Sequence, residues 1–527
     1  MDHSFSQAPS ADIQRSTFDR SHGHKTTFNA GELVPVYVDE ALPGDTFNMN
    51  ANAFARLNTP INPIMDNMYL DIHFFAVPIR QIWDNFRKFC GEQVNPGDST
   101  DYVVPMDTAH SSSGIVAGRV EDYFGVPTAT PGIQYSSLYT RAYLHIYNEW
   151  YRDQNIINSA SFSTGDTGLS NFDGLALKKR GKRHDYFTSC LPWPQKGDGV
   201  TLPLGDQAPV TGIGVQNGTF ATASQVVYET DGTASTTYTQ SKKIDPANIS
   251  TSIYIERDDN NTNYPNIRAD LTEATAITIN EIRQSFQIQK LLERDARSGT
   301  RYSEVINAHF GVQFLDVTYR PEFLGGGSTP INISPIAQTS STDVTTPQGN
   351  LAAIGTAGLN NAGFTKSFTE HCIIMGIASV RADLTYQQGL NRAFSRSTRY
   401  DFYWPALAQI GEQAVLNKEI FAQGTAGGTA DDSVFGYQER YAEYRYKPSM
   451  ITGIMRSNHA SSLDPWHLSQ EFGSLPTLDE TFINEDPPID RVVALTSEPD
   501  LIFDSYFNLR CARPMPLFGV PGMMDRF

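Results

Sequence analysis

Ile-Phe-Asp-Ser-Tyr-Phe-Asn-Leu-Arg-Cys, residues 502–511, decides the fold class. Phe503, Phe507, Leu509 and Cys511 alternate with Asp504, Tyr506, Asn508 and Arg510. Successive side chains of a strand point to opposite faces, so this spacing predicts a strand with one buried and one wet face. Residues 69–77 repeat the pattern far upstream. There Leu70, Ile72, Phe74 and Ala76 share one face, and Asp71 and His73 lie on the other, with His73 read as an exposed strand residue. Residues 33–38 and 371–384 are further strand candidates, the first ending at the Pro43-Gly44-Asp45 turn signal. Strands near both ends of a long chain must pair non-locally, as in Greek-key and jelly-roll sheets. The chain therefore reads as one β framework with large excursions, not as beads on a string.

Two segments have helical spacing. Residues 136–152 carry an aromatic stripe of Tyr139, Tyr143, Tyr147 and Trp150 with Leu138 and Ile146. In residues 271–297, Ile279, Ile282 and Phe286 lie on one face and Ile277, Ile288, Leu291 and Leu292 on the other, which predicts a helix covered on two sides. Residues 325–361, rich in Gly, Ser, Thr and Pro, read as loop. Residues 198–266 are rich in Thr, Ser, Gly, Asn and Gln, with a hairpin signal at Asp231-Gly232. They are expected to form an exposed insertion. The polar residues up to about Lys25 read either as a flexible terminus or as an arm that orders on assembly.

The totals narrow the function classes. With 527 residues the chain can bury a large core, and 40 Gly plus 30 Pro are near the usual share, so it is not low-complexity. A net charge of -18 argues against a protein that coats nucleic acid by itself. Four cysteines, Cys90, Cys190, Cys372 and Cys511, are widely spaced without a CxxC, which predicts free thiols and a reducing compartment. The longest apolar run, residues 372–380, is too short to span a bilayer, so a soluble protein is expected.

The search for catalytic chemistry returns little. Gly358 and Gly363 have phosphate-loop spacing, but Phe364-Thr365-Lys366 follows where Lys-Ser/Thr is required. Gly325-Gly326-Gly327 lacks the rest of a dinucleotide fingerprint. The sequence holds no HExxH, GxSxG or EF-hand loop. Asp431-Asp432 sits in a Gly-rich loop and reads as solvated, with a divalent ion at a subunit contact as the sharper alternative. No cofactor, metal or catalytic residue is assigned, and no enzyme activity is expected.

Two clusters stand out. Lys178, Lys179, Arg180, Lys182 and Arg183 bring five cations into six residues, followed by Tyr186 and Phe187. Phosphate contact with rings available for stacking is one reading, a solvated loop or salt-bridge partner the other. Residues 381–447 interleave Arg392, Arg396, Arg399, Arg440 and Arg445 with Tyr400, Tyr403, Trp404, Tyr437, Tyr441 and Tyr444. Tyr, Trp and Arg join large contact area to a polar handle, so this mixture predicts a subunit interface.

Long segments carry a family resemblance. They include FNAGELVPVYVDEALPGDTF (28–47), HFFAVPIRQIWDNFRKF (73–89), INEIRQSFQIQKLLERDARSGTRY (279–302), RADLTYQQGLNRAFSRSTRYDFYWPALAQIGEQAVLNKEIF (381–421), FGYQERYAEYRYKPS (435–449) and CARPMPLFGVPGMMDRF (511–527). In order, from about Phe28 to the C-terminus, the chain resembles the major capsid protein of Microviridae bacteriophages, gokushovirus branch. Residues 198–266 match little beyond length and polarity. The resemblance implies a mainly β, eight-stranded antiparallel jelly roll of the viral capsid type, with long inter-strand insertions containing helices. Its expected parts are an N-terminal arm (1–30), a jelly-roll domain (31–197 and 268–527) and an exposed insertion (198–267). The insertion is a candidate three-fold protrusion and host-attachment surface, with Thr230, Asp231, Gly232 and Thr233 as host-contact candidates.

It further implies a T=1 shell, a homo-oligomer of sixty copies around circular single-stranded DNA. Its expected partners are a small basic DNA-binding protein, a pilot protein, an internal scaffolding protein and a bacterial host receptor. Assembly is expected in the host cytoplasm and the product is the virion. A carbohydrate-binding or adhesive jelly-roll protein is the alternative, because that sheet also serves lectins.

Overall fold

The computed structural model describes residues 14–201, 210–211, 268–269, 278–312, 319–339, 342, 344 and 347–519. The protein is mainly β, and its main sheets are antiparallel. Ten strands form the frame: β1 (Ser16–Asp19), β2 (His22–Phe28), β3 (Val34–Ala41), β4 (Thr46–Leu57), β5 (Met68–Pro78), β6 (Glu322–Pro330), β7 (Asn332–Ala337), β8 (Leu351–Ser367), β9 (Cys372–Ala382) and β10 (Leu501–Arg513). In the first sheet β1 and β2 both pair with β10, which pairs with β4, then β8, then β7. In the second the order is β6-β5-β9-β3.

The alternation at 502–511 behaves as the sequence requires. Phe503, Phe507, Leu509 and Cys511 are buried, and Ile502, Asp504, Tyr506, Asn508 and Arg510 are exposed. The buried side faces the second sheet: Phe507 lies 5.1 Å from Tyr37 of β3 and 6.4 Å from Phe74 of β5 between ring centroids. Phe74 also meets Phe364 of β8 at 5.5 Å. One core thus lies between the sheets, and each fully buried large apolar side chain in it contributes about 1.5–3 kcal/mol.

The second sheet has a second cover, which corrects the reading of residues 69–77. Helix α1 (Leu138–Ile146), running into a π-helical turn at Tyr147–Tyr151, packs its aromatic stripe over the outer face. Phe75, Val77, Ile373, Met375 and Ile377 join Trp83, Tyr143 and Ile146 in a separate core. His73 is half-buried against this cover, its Nδ1 2.9 Å from the Tyr151 hydroxyl, and Asp71 is buried beside Arg180 and Arg381. The two faces were correctly separated by period; the roof over the polar one comes from residues far away in the chain.

Three other expectations change. Residues 325–361 are largely strand, not loop. The three glycines fit close strand contacts: a Cβ on Gly326 would fall 2.2 Å from the Ile72 carbonyl oxygen, and one on Gly327 2.8 Å from the Ala362 Cβ. In the expected 1–30 arm, residues 16–19 and 22–28 are already paired to β10, because the terminal strand offers them a free edge. Helix α2 (Ile279–Ser298) forms, but it is not covered on two sides: Ile279 and Phe286 are 69% and 68% exposed, and among its residues Ala296 alone is a buried hydrophobic.

The chain divides into two compact units, Met1–Pro194 with Asp295–Phe527, and Gln195–Arg294. Most of residues 198–267, including Thr230, Asp231, Gly232 and Thr233, lie outside the described residues. The four cysteines are free thiols. No helix among the described residues is long and apolar enough to cross a membrane.

Candidate assembly surface and basic cluster

Residues 381–447 leave the β9 strand and fold into short pieces. Three 3-10 turns, Arg392–Phe394, Arg399–Asp401 and Pro405–Leu407, precede a hairpin of Glu412–Leu416 with Val434–Glu439. Turns this short cannot bury a continuous stripe, so rings and guanidiniums meet at the surface. Arg399 stacks 4.6 Å over Trp404, whose indole N–H donates to the Arg399 carbonyl at 3.0 Å. Arg396 lies 4.3 Å over Tyr444 and pairs with Glu443 at 3.4 Å. Arg440 donates to the Tyr400 carbonyl at 3.0 Å and covers Tyr441 at 4.9 Å. Arg445 pairs with Glu439.

Two members of the cluster belong to the interior. Arg392 donates to the Glu419 carboxylate at 2.9 Å and the Ala414 carbonyl at 2.7 Å. Glu419 is buried and also accepts from Tyr186 at 2.8 Å. Burial pushes its carboxyl up, and the Arg392 charge opposes that push. Tyr441 is buried too, with a left-handed φ of 64° that costs a non-glycine residue about 1–3 kcal/mol. Its N–H donates to Gln413 at 3.1 Å and its hydroxyl to the Tyr400 carbonyl at 3.2 Å, which hold it there. Tyr437 is half-buried, its backbone paired with Leu191.

Arg396 and Arg440 are half-buried as well, but the large rings around them remain uncovered. Phe394, Tyr400 and Phe402 are 80%, 64% and 52% exposed, and Tyr403, Trp404 and Tyr444 are exposed as well. Single exposed apolar residues are normal, but a cluster of large rings within one segment marks an interaction surface. The structure therefore brings Arg396, Arg399, Tyr400, Tyr403, Trp404, Arg440, Tyr444 and Arg445 to one stacked patch, over a base set by Arg392 and Tyr441.

The basic cluster is divided in a way the sequence does not reveal. Arg180 is half-buried and donates to Asp71 and to the Ser379 hydroxyl, each at 2.8 Å. Asp71 receives Arg381 as well, at 3.0 Å. Burial alone would raise the Asp71 carboxyl; a hydrogen bond from Ser328 and the two guanidiniums bring it below the usual range. Lys182 is buried, bonded to the Gln470 side chain at 3.0 Å and to the Phe482 carbonyl, with Phe482's ring 4.7 Å away. Desolvation lowers its ammonium to about 8, with Glu485 pulling the other way. Lys179 pairs with Asp486 at 2.8 Å, and Lys178 lies 5.7 Å over Tyr147. Arg183 is exposed. Two of the five cations thus hold the fold together, and three remain at or near solvent.

Asp431 caps the backbone N–H groups of Gln423 and Gly424, and Asp432 pairs with Lys418 at 2.7 Å. Among the described residues no group of three or more His, Cys, Asp or Glu is placed to hold a metal ion. The carboxylates that organise both clusters, Asp71, Glu419 and Glu443, were missed from the sequence. Glu419 and Glu443 lie inside the Arg-rich stretch and could have been found by asking what neutralises it; Asp71 lies hundreds of residues from Arg381 and gives no local signal.

The chain is 46% identical to capsid protein VP1 of Bdellovibrio phage phiMH2K, with 100% of this chain and 98% of the relative aligned. It is 41% identical to capsid protein VP1 of Chlamydia phage 1 over 99% and 98% of the two chains. With capsid protein VP1 of Spiroplasma virus 4 the identity is 37%, over 99% and 97%. Residues 6–523 match the family model described as capsid protein (F protein). On that match, the chain belongs to the phage F capsid-protein family, a structural family, and within it to the gokushovirus branch of the Microviridae.

Proposed function

We propose that this chain is the repeated subunit of a T=1 icosahedral shell enclosing circular single-stranded DNA, assembled in the host cytoplasm. The observation that carries the reading is the cluster of rings at Phe394, Tyr400, Phe402, Tyr403, Trp404 and Tyr444, interleaved with arginines, which the protomer leaves uncovered. A shell subunit meets copies of itself on several sides, and rigid aromatic and Arg side chains suit such contacts.

Strand order supports an eight-stranded jelly roll as the frame. Taking β2, β3, β4, β5, β6, β8, β9 and β10 as strands one to eight, the sheets run 1-8-3-6 and 2-7-4-5. Nested pairing of first with last and second with next-to-last is the double Greek key of capsid jelly rolls. β1 and β7 are additions at the sheet edges.

The acidic total supports a division of labour around the DNA. A coat built of chains that each carry a net charge of -18 does not neutralise a genome by itself, so a small basic DNA-binding protein supplies the bulk of the countercharge. Lys178, Lys179 and Arg183 supply a local contact, while Arg180 and Lys182 hold the loop that presents them. Residues 198–267 form the exterior host-attachment surface, on the strength of their polar composition. An internal scaffolding protein and a pilot protein complete the assembly.

Expression with the scaffolding partner tests the reading. Closed, nuclease-resistant particles in electron micrographs are the expected outcome. A monodisperse monomer that binds sugar and never assembles would overturn it in favour of a carbohydrate-binding jelly roll.

A further inference from the structure

On the outer face of β5, beneath the turn at Tyr147–Tyr151, lies a cavity of about 430 Å³. That is within the ~300–1,000 Å³ range of small-molecule sites. Its charge is opposite in sign to that of the whole chain. Arg152, Arg180, Lys182 and Arg301 line it against one carboxylate, Asp153. Two of these cations are held in place by carboxylates behind them. Arg180 is fixed on Asp71, and Arg301 on Glu149 at 3.2 Å and Glu304 at 2.8 Å. Arg152 differs: one terminal nitrogen donates to the Ile157 carbonyl at 2.6 Å, and its buried Nε has no hydrogen-bond partner. A buried donor left unsatisfied is costly, and a bound acceptor that reached it would recover that cost.

The other wall is aromatic. Phe75, Trp150 and Phe323 meet pairwise at 5.6–5.8 Å, and Tyr151 lies 5.9 Å from Phe75. Trp150 is fixed at its edge, its N–H donating to the Pro321 carbonyl at 2.9 Å, and Arg320 covers its ring at 4.8 Å. Phe323 keeps nearly half its surface open. Fixed guanidiniums suit phosphate oxygens, and a partly open ring suits a flat base.

We propose that this cavity is a nucleotide site, taking one phosphate at Arg152 and one base against Phe323. The biological source of that nucleotide, a unit of the enclosed single strand, rests on the packaging reading; the binding chemistry does not. Neither a neutral sugar nor inorganic phosphate alone would use both walls.

Two experiments test it. First, the full-length chain is titrated with dTMP, with a short oligothymidylate and with inorganic phosphate, following tryptophan fluorescence with Trp150→Phe as the signal control. Quenching by dTMP and the oligomer is expected, with phosphate weaker. Arg152→Gln and Phe323→Ala, each checked for folding by thermal melting, should weaken dTMP binding by roughly tenfold or more. No dTMP binding, or equal affinity in wild type and both variants, overturns the site; phosphate binding as tightly as dTMP overturns its base slot. Second, particles are irradiated and cross-linked peptides sequenced. Cross-links on the peptides holding Trp150 and Phe323 are expected. Cross-links confined to other peptides in DNA-filled particles overturn the strand as the ligand, leaving a free nucleotide, and do not touch packaging. Particles without DNA overturn the packaging reading instead, and the dTMP titration then decides the cavity by itself.

Discussion

The sheet core and the 381–447 segment are both built on aromatic side chains, and they use them in opposite ways. In β5, β8 and β10, Phe74, Phe364 and Phe507 sit at alternate positions and close on one another between two sheets. In the later segment Phe394 and Tyr400 sit on 3-10 turns and Phe402 and Trp404 flank them, interleaved with arginines, and all four stay exposed. Aromatic content therefore says little about where a ring goes. Period decides: a repeat of two delivers every ring to one face, whereas turns scatter them and leave guanidiniums to cover what they can.

That contrast can be broken by mutation, and the largest effect belongs to the sheets. Phe507→Ala removes a ring packed against Tyr37 and Phe74 and should cost ~3–5 kcal/mol, read by chemical denaturation of the protomer. A smaller loss would mean the sheets close over the gap. Next, Arg392→Ala strips the cation from buried Glu419 and should cost ~3 kcal/mol, because the carboxylate stays behind unpaired. The Arg392→Ala, Glu419→Gln double variant should recover part of it; no recovery would show that the loss comes from packing.

The exposed rings should show the reverse signature. Tyr400→Ala with Phe402→Ala should change protomer stability by less than ~1 kcal/mol and raise the concentration needed for particle assembly about tenfold or more. Equal loss in both readouts would place these rings in the protomer's own core.

Lys182 gives a pH-dependent test. Its folded pKa, about 8, lies below the ordinary 10.5, so the unfolded chain binds the extra proton between those values. Stability should thus rise with pH across 8–10.5, by roughly 3 kcal/mol from this group. Lys182→Met should flatten that rise, and an unchanged pH profile of the denaturation midpoint would show that the ammonium is not desolvated. The smallest effect is expected at Lys179. Its pair with Asp486 is largely in solvent, and Lys179→Ala should cost no more than ~1 kcal/mol in protomer stability.

Much of the frame was legible because strands report their own period. Residues 502–511 alternate cleanly, and burial follows that alternation residue by residue. Residues 325–361 misled because glycine is a loop residue by propensity. In β6 it is selected instead for the close approach of Ile72 and Ala362. The interface candidates were found as a composition, and the structure sorts them: Arg392, Tyr437 and Tyr441 tie into the interior, Arg396 and Arg440 are half-buried, and Arg399, Tyr400, Tyr403, Trp404, Tyr444 and Arg445 are exposed. The basic cluster was visible as charge alone, and charge does not reveal that Arg180 and Lys182 are turned inward. The cavity beside β5 was not legible at all, since Arg152, Arg301 and Phe323 come from separate parts of the chain.

The sequence by itself determined the mainly β class, the faces of its clearest strands, the two unusual clusters and the family resemblance. These are local quantities: side-chain period, charge per segment and the order of motifs. Only the tertiary structure decided which polar positions are roofed, which arginines are spent on buried carboxylates and which rings remain bare. Each of those depends on a partner distant in sequence, such as Asp71 for Arg381 or α1 over β5, and no window of neighbouring residues contains it.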